Sequence, residues 1–242
     1  MKTPKRLQPL VEDGLIDEVL RSLMSGKEAD VFVVMSRGEE RCAKVYKESQ
    51  SRSFRQRSDY QEGRGEKNSR RARAMAKGSK FGRKELESSW QSAEVDALYR
   101  LAAAGVRVPT PHDFDHGVLL MDLVKDATGE VAPRLIDVAM TPDEARTLHA
   151  MLIAEVVKML CAGLIHGDLS EYNVLIGADG PVIIDLPQAV SAAGNNNAPR
   201  LLNRDLAALA LCLGRFAPEL RKTDYGREIW ELYAKGMLDP GT

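Results

Sequence analysis

Apolar residues recur along the chain with two different periods. In the stretch 7–24, Leu15, Ile16, Val19, Leu20 and Leu23 lie mostly three or four apart, which predicts a short amphipathic helix with one buried stripe. Ser25 and Gly26 mark a turn. Two β-rich runs follow, Val31 to Met35 and Arg41 to Tyr46. The Ser-Arg-Gly-Glu-Glu between them predicts a hairpin with Lys44 in its second strand. Farther on, Trp90, Val95, Leu98 and Leu101 have helical spacing, with Glu94 inside the run and Gly105 as its stop. After Pro109 and Pro111, the run 116–124 reads as a buried strand leading into a connector, Asp122 to Glu130. Thr141 as N-cap, Pro142 at the first helical position and Glu144 closing a capping box predict a helix that ends near Gly163. The run 173–187 alternates apolar, Ala-Asp-Gly, apolar. It predicts a hairpin entered at Asn173 and left at Asp185. Two helices, over 198–216 and 226–237, close the chain, and no internal repeat is present.

Between 47 and 84 the pattern is lost. Arg, Lys, Ser, Gln and Gly dominate there, leaving little apolar burial to offset the entropy of ordering. This predicts a mobile basic insert. It reads either as a solvated loop or as a contact for RNA, a ribosomal particle or an acidic partner, with Phe54, Tyr60 and Phe81 supplying only sparse aromatic interleaving. Around the insert, a β-rich first part joins a helical second part near residue 122. The expected fold class is α+β, a two-lobed body with a cleft between the lobes.

Composition adds exclusions. A chain of 242 residues can bury a core without staples. Its 34 basic and 35 acidic residues give a net charge of -1, so any attraction to nucleic acid or membrane must be local. Cys42, Cys161 and Cys212 are odd in number and lack CxxC spacing, against both a disulfide framework and a zinc site. The first 14 residues lack an apolar signal core, and no apolar run nears the roughly 20 residues needed to span a bilayer. A cytoplasmic protein without a membrane partner is expected.

Candidate chemistry lies in "LIHGDLSEYNVLI", 164–176, and "VIIDLP", 182–187. A hairpin brings its entry and exit together, so Asn173 and Asp185 can face one point with Asp168 on the preceding loop. Two carboxylates and an amide oxygen are hard ligands suited to Mg²⁺, and three such residues within apolar runs are costly unless something pairs with them. Phosphoryl transfer needs charge neutralisation, in-line positioning and a carboxylate that accepts a hydroxyl proton. Taken singly, Lys44 also reads as an edge-strand solubilising charge, Glu94 as a solvent-facing helix residue, and Asp205 as a helix N-cap or an anchor for the loop.

From Leu23 to Phe216 the chain resembles the RIO group of atypical protein kinases. "MSGKEADVF" is similar to that family's phosphate-covering loop, and "CAKVYK" to the strand bearing its phosphate-binding lysine. "AEVDALYRLAAAGVRVPTP" is similar to the helix bearing the partner glutamate, and "VLLMDLV" to the interlobe hinge. "HGDLSEYN" is similar to the catalytic loop, and "IIDLPQAV" stands where typical kinases carry Asp-Phe-Gly.

The resemblance implies one kinase-like domain over 1–242, with an N-lobe to about 121, a hinge at about 122–126 and a C-lobe beyond. It implies that Ser25, Gly26, Lys27, Glu28 and Ala29 cover the triphosphate of ATP, and that Lys44, held by Glu94, clamps the α- and β-phosphates. Met121 would be the gatekeeper, and Asp122 to Val124 would present backbone groups to adenine. Asp168 would be the catalytic base. Asn173 and Asp185 would bind Mg²⁺, with Mn²⁺ as the alternative ion, and Asp185 could also accept phosphate as an aspartyl intermediate. His166 would pack at the base of the loop.

No Ala-Pro-Glu motif or long activation segment follows Asp185, which leaves the protein substrate open. The short ends suggest a minimal, prokaryotic-type form without a winged helix. A serine/threonine kinase that autophosphorylates is the expectation. A nucleotide-driven switch on ribosomal particles or RNA, and a small-molecule phosphotransferase of the aminoglycoside or choline kinase type, are its competitors.

Overall fold

The computed structural model describes residues 3–26, 28–47 and 93–241. The predicted insert, apart from Lys47, lies outside the described residues, as does Lys27. Two compact units are present. In described residues the first holds 3–47 without Lys27, 93–99 and Pro109–Leu123, and the second holds Arg100–Val108 and everything from Val124.

The first unit contains a helix α1 (Gln8–Glu12) and the strands β1 (Glu18–Ser25), β2 (Ala29–Ser36), β3 (Glu39–Tyr46), β4 (Pro111–Asp115) and β5 (Val118–Asp122). They form one antiparallel sheet in the order β1-β2-β3-β5-β4. Its β2–β3 hairpin turns through Arg37 and Gly38, both with positive φ, the two-residue loop whose twist suits flanking strands. His116 and Gly117 repeat this device between β4 and β5.

The helix predicted across 7–24 is confined to Gln8–Glu12, and the rest of that stretch is β1. Two register irregularities, at Val19/Arg21 and Ser22/Met24, insert extra residues into β1. Bulges of this kind shift the period away from two, so the apolar spacing imitates a helix. Ile16 and Val19 are buried all the same, in a cluster with Leu7, Leu10, Phe32, Val34, Ala43, Val45, Val118 and Leu120. Ala43 and Val45 thus face this cluster, and strand alternation turns Cys42, Lys44 and Tyr46 to the opposite face. The sequence predicts no strand directly after Pro109, yet β4 begins at Pro111; it is an edge strand, where proline is tolerated.

A second helix, α2, is helical over the described residues 93–103 and turns its Val95, Ala97, Leu98 and Leu101 inward. In the second unit, α3 (Pro142–Cys161) begins at the predicted capping box. Thr141 Oγ1 accepts from the Glu144 N–H, and the Glu144 carboxylate accepts from the Thr141 N–H at 2.7 Å. Gly163 ends it with φ 75, a conformation costly for any residue with a Cβ. Short strands β6 (Leu164–Ile165) and β9 (Val190–Ser191) pair antiparallel, as do β7 (Val174–Gly177) and β8 (Gly180–Ile183). Helices α4 (Ala198–Leu213) and α5 (Gly226–Ala234) complete the unit. Among the described residues no helix is long and apolar enough to cross a membrane.

Candidate functional site

In the first unit Lys44 is not on an edge. β3 lies between β2 and β5, where Lys44 pairs with Val31 on one side and Leu119 on the other. Its Nζ meets Glu94 Oε1 at 2.6 Å, with the two side chains only 13% and 6% exposed. The Tyr46 hydroxyl donates to the other oxygen, Glu94 Oε2, at 2.7 Å, and the Lys44 ammonium lies over the Tyr46 ring. Glu94 is therefore buried and held at both oxygens, rather than facing solvent. Tyr46 escaped the sequence reading, although its place two residues beyond Lys44 puts both on one strand face.

Ser25 and Gly26 stand at the β1–β2 turn, closed by the Gly26 N–H donating to Ala29 O at 2.9 Å. Ser25 is exposed, Glu28 is exposed and Ala29 is buried. On β5, Met121 pairs with Cys42, whose thiol burial pushes up to about 12. A thiol so protonated is a packing group and not a nucleophile. Asp122 is bound by Arg41 and by His112. Burial raises its pKa and the bonds from Thr110 and His112 more than offset this, leaving it below the ordinary value. The Asp122 N–H donates to Thr110 O, and Val124 O accepts from the Ala132 N–H. Each of those two backbone groups thus makes one bond within its own unit.

The second unit brings the loop residues together. Leu164–Gly167 and Leu169 are buried, and Asp168 alone among them is exposed, its side chain 66% open. The burial cost read into the apolar runs therefore does not apply to this carboxylate, nor to Asp185, which is also exposed. The backbone explains how a polar tip projects from an apolar stretch. Asp205, 2% exposed on the inner face of α4, accepts the Gly167 N–H at 2.8 Å and the Leu169 N–H at 3.1 Å. It sits in mid-helix, where Asn197 is the N-cap residue, so of its two earlier readings the anchor holds. Burial pushes its carboxyl up to about 6 against the lowering effect of these donors.

His166 is buried at the base of the loop, with Nε2 bonded to Ile184 O at 3.1 Å and Nδ1 accepting from the Asp168 N–H at 3.3 Å. Asn173 donates Nδ2 to Asp168 O at 2.8 Å, and its own backbone oxygen accepts from the Ile184 N–H at 2.9 Å. The hairpin thus fastens Asn173 to the residue preceding Asp185. Asp185 itself has φ 66, which an aspartate tolerates better than most residues. Using Nδ2 within the loop keeps the Asn173 Oδ1 as acceptor, and with the Asp185 carboxylate this is a hard oxygen set of the kind divalent cations take. Arg204 Nη2 lies 3.9 Å from Asp168 Oδ1 and the same distance from Asp205 Oδ1, a contact the sequence reading missed.

A sheet whose central strand carries a glutamate-held lysine, with a helical unit that clamps an exposed aspartate loop, defines a kinase-like α+β fold. Residues 30–225 match the model of the RIO domain, and the chain belongs to that family. It is 35% identical over 202 residues to the RIO-type serine/threonine-protein kinase Rio1 of Haloferax volcanii, covering 83% of this chain and 65% of the relative. It is also 34% identical over 196 residues to the serine/threonine-protein kinase rio1 of Schizosaccharomyces pombe, and 32% identical over 192 residues to the human serine/threonine-protein kinase RIO1. Each match covers 78% of this chain but only 37% and 32% of those two relatives. The chain thus spans about two thirds of the archaeal relative and about a third of the eukaryotic ones.

Proposed function

We propose that the protein is an ATP-dependent serine/threonine protein kinase of RIO type, which transfers the γ-phosphate of ATP to protein hydroxyls, including its own. One observation carries the reading: Asp205 draws Gly167 and Leu169 inward by their N–H groups and leaves Asp168 as the exposed residue between them. Family membership favours this over a small-molecule phosphotransferase.

Asp168 accepts the proton as the serine or threonine oxygen attacks the γ-phosphorus. The bond from that phosphorus to the β-phosphate oxygen breaks, and ADP leaves. A fixed carboxylate within reach of the hydroxyl supplies general-base assistance of about 10²–10⁴-fold. Asn173 and Asp185 are the residues that would hold the divalent ion, Mg²⁺ in this reading. Once bound there, the ion offsets the charge of the phosphates. Lys44 offers its ammonium to the α- and β-phosphates, and Glu94 and Tyr46 restrict where that ammonium can go.

Incubation with γ-labelled ATP and Mg²⁺, followed by phosphoamino-acid analysis, tests the reading. Label on serine or threonine that disappears in Asp185→Asn is expected. An unlabelled wild type, or label that survives the substitution, overturns it.

A further inference from the structure

Lys47 is absorbed neither by the lysine–glutamate pair nor by the loop of the second unit, yet it holds the described ends of the turn from Ser25 to Ala29. Its Nζ donates to Gly26 O at 2.8 Å and to Ser25 Oγ at 3.1 Å, and pairs with Asp30 Oδ1 at 2.8 Å. Ser25 Oγ donates to that same Asp30 oxygen at 2.5 Å. The Lys47 N–H closes the set on Glu28 O at 2.8 Å. One cation thus touches the last residue of β1, the turn and the start of β2.

The hairpin fixes this geometry. With Ser36 opposite Glu39, counting back places Ala29 opposite Tyr46 and Asp30 opposite Val45, so Lys47 is a diagonal neighbour of Asp30. Val45 faces the cluster under α1, whereas Lys44 points to the other side of the sheet. Lys47 therefore grips the turn from the face away from Lys44. Burial raises the Asp30 pKa, and the bonds from Lys47 and Ser25 outweigh this to hold it below its ordinary value, consistent with an ionised partner for the ammonium.

We propose that Lys47, with Asp30 as its counter-charge, is a positioning residue that holds Ser25, Gly26 and Glu28 in their phosphate-covering arrangement without touching the nucleotide. This rests on the reading of that turn as the triphosphate cover. A turn released from the staple must be re-ordered whenever a triphosphate binds, and apparent affinity falls with the fraction that is ordered beforehand. Adenosine has no phosphates for the turn to cover, so its affinity is indifferent to the staple.

Calorimetric titration of wild type, Lys47→Met, Lys47→Arg, Asp30→Asn and Lys44→Met with Mg-ATP and with adenosine tests this. ATP should bind roughly three- to tenfold more weakly to Lys47→Met and Asp30→Asn, the range set by a half-exposed ion pair and two hydrogen bonds. Adenosine affinity should stay within twofold, and Lys47→Arg should retain most of the wild-type ATP affinity. Should Lys47→Met fail to fold, Asp30→Asn carries the comparison, since it removes the counter-charge and leaves the lysine in place. Equal ATP affinity in wild type and both staple variants overturns the inference, as does a parallel loss for adenosine. A wild type that binds no ATP defeats the kinase reading and this inference with it. ATP binding that needs Lys44 but not Lys47 defeats this inference alone.

Discussion

Replacing Asp205 by asparagine sets two effects of different pH dependence against each other. In the folded chain burial pushes this carboxyl from 3.8 up to about 6, so between those values the folded state keeps a proton that the unfolded chain has lost. Stability tied to that proton is fully present below pH 3.8 and is lost as pH rises to about 6. At 1.36 kcal/mol per pH unit the loss is about 3 kcal/mol. Asparagine has no such proton, and it has one side-chain oxygen to serve the two N–H groups of Gly167 and Leu169. One buried donor left unpaired costs about 1–3 kcal/mol at any pH. Wild type should therefore be the more stable protein by that amount at pH 4, and the difference should shift by about 2–3 kcal/mol in favour of the variant on reaching pH 7. Urea unfolding of both proteins, followed by tryptophan fluorescence at each pH from 4 to 7, measures the gap directly. A constant gap would refute the reasoning. So would a gap that widens with pH, since that would mean the two N–H donors hold the native carboxylate below its ordinary value.

Three further outcomes rest on local geometry. Lys44→Met and Glu94→Gln should each destabilise by about 3–5 kcal/mol because each leaves a buried charge without its partner, while the double variant costs less than their sum; a double-mutant cycle in urea reads this coupling. His149 is buried with no hydrogen-bond partner at Nε2 among the described residues, and burial lowers its pKa, so its share of stability is present above 6.5 and is lost as pH falls. His149→Leu should therefore flatten the acid limb of a melting-temperature profile between pH 6.5 and 5 relative to wild type. Thr141→Ala should cost about 1 kcal/mol in chemical denaturation by leaving the Glu144 N–H without its cap.

Features set by neighbouring residues were legible in the sequence. The capping box at Thr141 and Glu144, the Arg37-Gly38 hairpin and the turn between β7 and β8 each need only a few adjacent positions, and all three are present. The β1 strand was misread because its bulges put an apparent helical period on an extended chain. Strands β6 and β9 are two residues each, too short for any period to register. Partnerships across long sequence separations were harder still. Nothing near Glu94 announces Tyr46, and nothing in "NRDLAAL" decides between a cap and an anchor for Asp205. The staple at Lys47 was accessible in principle, since the hairpin register alone sets it opposite Glu28. It went unseen because the basic, polar stretch read as the insert begins at Lys47 itself.

The rate of γ-phosphoryl transfer in Asp168→Ala, set beside its affinity for ATP, tests the central claim most directly. A general base that touches the attacking hydroxyl and not the nucleotide predicts a rate lowered about 10²–10⁴-fold with ATP binding within twofold of wild type. Transfer at the wild-type rate in a folded Asp168→Ala protein would contradict the account.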